Sequence, residues 1–169
     1  MYKLSVPAVA LVATMIALLI PAPALAVSIE PEVKVGEVYV VSTITGVAKA
    51  YIGGREVTLP AILEMRCRVT EVGARFVLFR VAGGTLRLGE TAYNIVDGWW
   101  RGIYDKKTER SLVEITAVDG TDGRIHVILT GDDARHTPGG TFMVIIGFLK
   151  DHDNVYWRLR IMAWRFRLT

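Results

Sequence analysis

The chain has 169 residues, with one cysteine, four tryptophans, and 20 basic against 17 acidic side chains for a formal charge of +3. That balance is too small to draw in nucleic acid or an anionic membrane, and a lone cysteine excludes an intramolecular disulfide. No Gly-x-Ser-x-Gly elbow, His-Glu-x-x-His pair, P-loop or dinucleotide fingerprint occurs, so the expectation is a non-enzymatic protein without a cofactor.

Residues 1–26 read as a signal peptide. Lys3 supplies the positive start, Val6 to Ile20 is apolar apart from Pro7 and Thr14, and Ala24 and Ala26 place a cleavage point after Ala26. The apolar stretch continues to Ala26 and is then just long enough to be a retained anchor, although Pro21 and Pro23 break the helix an anchor would need. The expected location is secreted or on the extracytoplasmic cell surface. Lys3 is the only charge in this segment, so residues 27–169 carry 19 basic and 17 acidic side chains, a formal +2. After cleavage, therefore, neither nucleic acid nor a membrane is an expected partner.

Residues 27–169 are expected to form a single all-β domain, because short β-branched and aromatic runs alternate with glycine and aspartate turns and no helical period persists. The segment from Val27 to Val35 contains Pro31 and reads as an extended lead-in. Strands are expected at Glu37 to Ile52, Ala61 to Val72, Arg75 to Ala82, Thr85 to Leu88, Thr91 to Val96, Ser111 to Val118, Arg124 to Thr130, Thr141 to Lys150 and Val155 to Leu168. In the second of these, Leu63, Met65, Cys67 and Val69 share one face, so the period of two buries the thiol. Gly53-Gly54, Gly73-Ala74, Gly83-Gly84, Gly89-Glu90 and Asp119 to Gly123 are the expected turns. Eight or nine such strands build either an antiparallel, calycin-like barrel or a barrel-like β-sandwich.

Between the fifth and sixth strands lies Asp97 to Asp105, DGWWRGIYD. If the stretch is extended, Trp99 and Trp100 point to opposite faces; if it is a helical turn, both rings can lie against one barrel end. The pair is either a core plug or, with Arg101 and Tyr104, an aromatic platform for a small apolar or aromatic-compatible ligand. Gly98 to Trp100 resembles the Gly-x-Trp element of lipocalins, but that element begins their barrel and here it lies mid-chain, so no family is assigned.

Two acidic segments follow. Asp132, Asp133 and His136 are expected in a loop and Asp151, His152 and Asp153 in a turn, and together they could hold a divalent ion or serve a hydrolase if the two met at one end of the fold. Neither spacing is a dedicated metal motif, and aspartate is the ordinary residue of turns. His126 alternates with Ile125 and Val127 and reads as a sheet histidine.

The strand from Thr141 to Leu149 is apolar on both faces, which suits a central strand or a homo-oligomer contact. The last strand changes phase after Ala163. A bulge near Met162 and Ala163 is expected to turn Trp164, Phe166 and Leu168 inward and to leave Arg165 and Arg167 on the outer face.

Three functions follow from these readings. The first is an exported β-barrel domain binding a small apolar ligand at one end, lined by Trp99, Trp100, Arg101 and Tyr104. The second is a cell-surface subunit that assembles through its strands. The third is a hydrolase or metal site on the Asp132 and His136 loop.

Overall fold

The structure, a computed structural model, describes residues 33–105, 108–121, 123–137 and 139–168. The expected signal peptide lies outside the described residues. Eight strands follow one another in chain order: β1 (Val38–Ile52), β2 (Arg55–Val72), β3 (Phe76–Leu88), β4 (Thr91–Asp105), β5 (Thr108–Val118), β6 (Arg124–Thr137), β7 (Gly140–Lys150) and β8 (Tyr156–Arg167). Each pairs antiparallel with the next, and β8 pairs with β1, so the sheet closes into a barrel rather than a sandwich. Closure removes the edges that an open sheet of this length would expose.

The turn chemistry explains the connections at one end of the barrel, called here the distal end. Gly53 and Gly54 both have positive φ, 57° and 78°, which a two-residue hairpin requires. Between β5 and β6 the Asp119 carboxylate accepts from the backbone of Thr121 and Gly123 and from the Thr121 hydroxyl. Between β7 and β8 the Asp151 carboxylate accepts from Val155 N–H at 2.9 Å and from Trp157 Nε1–H at 2.8 Å. The opposite end, where β1 begins and β8 finishes, is the terminal end.

Nine expected strands become eight because Gly83-Gly84 is not a turn. β3 runs through both residues, with Met65 opposite Gly84 and Arg66 opposite Gly83. A side chain at Gly84 would collide with the Glu64 carbonyl, so this approach of β3 to β2 requires glycine.

The barrel interior is filled by side chains, as eight strands permit. Trp100, Phe79, Leu63, Met65, Leu86, Ile115, Leu129, Met143 and Leu159 are buried, interleaved with Ala48, Ala61, Ala117 and Ala163. Cys67 is among them, fully buried as expected, and burial pushes its thiol up to about 12. The inner face of β7 carries Met143, Ile145 and Leu149, while Phe142, Val144, Ile146 and Phe148 face outward.

The phase change in the last strand has a different origin from the one expected. Register between β7 and β8 is unbroken from Lys150 opposite Tyr156 to Thr141 opposite Arg165, so no bulge occurs at Met162 and Ala163. The extra residue sits in β1: Thr43 pairs with Ala163 and Thr45 with Met162, leaving Ile44 exposed between them. Thr43 closes the resulting gap in the β1–β2 ladder, its hydroxyl accepting from Leu63 N–H at 2.7 Å and donating to Leu63 C=O at 2.8 Å. With β8 unbroken, strict alternation puts Trp157, Leu159, Ile161, Ala163 and Arg165 inside and Trp164 and Phe166 outside. The expectation of an outward Arg165 is therefore reversed.

Candidate binding site

DGWWRGIYD is extended and forms the second half of β4, so its two indoles part company. Trp100 is wholly buried against Phe79, with ring centroids 5.6 Å apart. Trp99 and Arg101 lie on the outer surface, where they line a depression of about 550 Å³ with Thr70, Leu78 and Arg80. The Arg101 guanidinium covers the Phe76 ring at 4.9 Å. The expected four-residue platform is thus split across the barrel wall, and the side chain of Tyr104 lies outside the described residues. A second outer depression, about 610 Å³, lies over the β3 glycines beside Arg66, Thr85 and Phe166.

Arg165 is the residue that sequence reasoning misplaced. It sits inside the terminal end with 3 % exposure, and its guanidinium carbon lies 5.1 Å from the Trp100 ring, 5.7 Å from Phe79 and 5.9 Å from Tyr39. Its Nη2 donates to the Thr141 hydroxyl at 3.3 Å, across the strand pair in which the two residues are directly opposed. Tyr39 makes an edge contact with Phe79 and donates to the Glu37 carboxylate at 2.9 Å. Burial, then the Glu37 carboxylate, pushes the Tyr39 phenol up to about 12, so the ring stays neutral and electron-rich toward Arg165.

Close by, Trp100 Nε1–H is buried with no hydrogen-bond acceptor among the described residues. Among the described residues, Tyr39, Ser111, Thr141 and Arg165 are polar side chains that retain a little exposure at or near this end. Chemically this arrangement sets a guanidinium and a hydroxyl against aromatic faces inside the terminal end.

The distal end has a different character. Tyr93 and Trp157 are buried there, with Asp151 holding the Trp157 indole. His152 lies 3.5 Å from Asp119 and 3.3 Å from Asp153, joining the β5–β6 and β7–β8 turns. Burial, followed by the charges of Asp151, Asp119 and Asp153, raises the Tyr93 phenol above its ordinary value.

The expected pairing of the two acidic segments fails on position. Gly131 to Thr137 is not a loop but the last part of β6, and His136 opposes Thr141 at the start of β7. Asp151, His152 and Asp153 follow the other end of β7, at the distal end. The two groups therefore face opposite ends of the barrel and do not build one site. The side chains of Asp132, Asp133 and His136 lie outside the described residues, and among the described residues no cluster suited to a metal ion occurs. His126 is an exposed residue of β6, as expected.

No protein-family model matches the chain, and no curated protein matches it in sequence. Among solved structures, DynF from the dynemicin biosynthesis pathway of Micromonospora chersina is similar in fold, with 16 % identity, a TM-score of 0.49, and coverage of 79 % of this chain and 81 % of that one. At that distance the likeness lends no role to any residue.

Proposed function

We propose that the barrel belongs to an exported, non-enzymatic protein that binds a small molecule at the terminal end, in contact with Arg165. The ligand class is an apolar, preferably aromatic, body bearing a hydrogen-bond acceptor. The observation that carries this reading is the seating of Arg165: a permanent cation held among the rings of Tyr39, Phe79 and Trp100 at one end of a barrel whose described interior is mostly apolar. Burying a guanidinium costs several kcal/mol before compensation, and a core plug has no need of it. The buried Trp100 N–H without an acceptor among the described residues supports the same reading, because such donors are rare where structure alone is served. The mouths of β-barrels are a common place for small-molecule sites.

The reading is tested with 1-anilinonaphthalene-8-sulfonate, an anionic aromatic probe, titrated while energy transfer from tryptophan is followed. The wild type is expected to bind it, and Arg165→Met to weaken binding by about tenfold or more, the value of a lost charge-assisted hydrogen bond. Arg101→Met, on the outer wall, is expected to change nothing. Undiminished binding by a folded Arg165→Met variant contradicts the assignment.

A further inference from the structure

The fold sorts its charges in a way the formal total conceals. β7, β8 and β1 are consecutive neighbours in the closed sheet, and their sequences contain no aspartate or glutamate. Their outward residues include Lys49, Lys150, Arg158 and Arg160, all exposed. Acidic side chains of the strands lie elsewhere, for example Glu56 and Glu64 on β2, Asp97 on β4 and Glu114 on β5.

The same face is apolar. Phe148 is 59 % exposed and Tyr156 67 %, with Val47 and the bulged Ile44 beside them on β1 and Ile128 on the adjoining β6. Cation and apolar side chain alternate across the strands: Arg158 opposes Phe148, and Arg160 opposes both Ile146 and Val47. Arg158 also opposes Lys49 directly, a like-charge juxtaposition that costs stability in a sheet. Lys49 is offset by Glu56 at 2.8 Å and Lys150 stacks over Tyr156 at 5.4 Å, but Arg158 and Arg160 form no ion pair among the described residues. The acids of the neighbouring turn are engaged, Asp151 by Trp157 and Asp153 by His152.

We propose that the outward face of β7, β8 and β1 docks on the surface of an anionic lipid membrane. Exposed aromatics among lysines and arginines are the composition of an interfacial membrane contact: rings enter the headgroup boundary while cations meet lipid phosphates. Three strands make a stripe about 14 Å wide without a groove to grip a peptide. A second copy is a poor occupant, since a two-fold contact sets Arg158 and Arg160 against their own counterparts. Residues 1–32 precede the described part of the chain. They contain the apolar run from Val6 to Ile20, whose reading as a signal or anchor brings the protein to a membrane.

The test is co-sedimentation of the protein, processed as it is in its own cells, with vesicles of phosphatidylcholine alone or with about 30 mol% phosphatidylglycerol. Binding is expected only to the anionic vesicles, to weaken with salt, and to fall by at least about tenfold in Arg158→Glu/Arg160→Glu, since each surface cation is worth about a fivefold change. Phe148→Ser is expected to weaken it too, and Arg87→Glu/Arg101→Glu, on β3 and β4, to leave it unchanged. Equal binding to neutral vesicles, or unaltered binding by the folded Arg158→Glu/Arg160→Glu variant, overturns the proposal. So does binding to polyglutamate without binding to vesicles, which assigns the face to an acidic protein. A dimer in light scattering that the same double variant dissolves overturns it in favour of a second copy.

Discussion

The Arg165 guanidinium lies 5.1 Å from the Trp100 ring inside the barrel, although the two residues are 65 positions apart and only one of them looks interior in the sequence. The contact arises because β8 runs unbroken from Tyr156 to Arg165 against β7 while β1 absorbs the extra residue at Ile44. Both the packing of the core and the proposed site follow from this phase.

The two adjacent tryptophans should differ sharply in what they contribute to stability. Trp100 fills the interior and Trp99 lies on the outer wall. Trp100→Ala is expected to cost about 3–5 kcal/mol, as loss of a large buried side chain does, and Trp99→Ala about 1 kcal/mol or less. Urea unfolding followed by circular dichroism measures both, and equal losses would argue against the extended conformation of this stretch.

Thr43 holds the bulge by bonding both polar groups of one peptide neighbour, Leu63. Thr43→Val keeps the shape but leaves the Leu63 N–H and C=O without that partner, and is expected to cost about 1–3 kcal/mol. Thr43→Ser keeps the hydroxyl and should stay within about 1 kcal/mol of wild type. A valine variant as stable as the serine variant would show that the clamp does not hold the register.

Stability should fall in acid through Asp119 and Glu37. The Asp119 carboxyl is held below its ordinary value first by the Thr121 hydroxyl, then by the backbone N–H groups of Thr121 and Gly123. Glu37 is also lowered: partial burial works the other way, but hydrogen bonds from Lys34 N–H, Tyr39 and Arg167 outweigh it. A carboxylate whose pKa is lower folded than unfolded adds stability that is present above about pH 4 and is lost as pH falls through the folded value. The urea midpoint is therefore expected to drop below about pH 4, with Asp119→Asn flattening that acid limb. An Asp119→Asn profile parallel to wild type would remove the turn from the explanation.

Cys67 should be chemically silent in the folded protein. Its thiol is fully buried, and burial raises it to about 12 despite the nearby Arg165 charge. Ellman's reagent is expected to react only as fast as the barrel opens, and stoichiometrically in denaturant. Rapid labelling of the native chain would place the thiol outside the core.

Much of this architecture was legible in the sequence. The two-residue period buried Cys67 with Leu63 and Met65, and the glycine and aspartate turns marked the hairpins at Gly53, Gly89 and Asp119. Three features were not. Gly83-Gly84 has the signature of a turn, but only the approach of β2 shows that the glycines serve a passing strand. The β8 sequence is equally consistent with a bulge that expels Arg165 and with straight alternation that buries it; the residue that decides, Ile44, lies in a strand more than 100 positions earlier. The acidic segments at 132–136 and 151–153 look like neighbours in the chain, yet β7 separates them by its full length.

The central claim, a ligand held at Arg165, is tested most directly by native mass spectrometry of wild-type and Arg165→Met protein purified gently from the protein's own cells. The expected result is a discrete added mass of a few hundred daltons on the wild type, in the range of ligands that fill small-molecule sites, and its loss from the variant. A wild-type spectrum at the bare polypeptide mass, or an adduct carried equally by both proteins, contradicts the account.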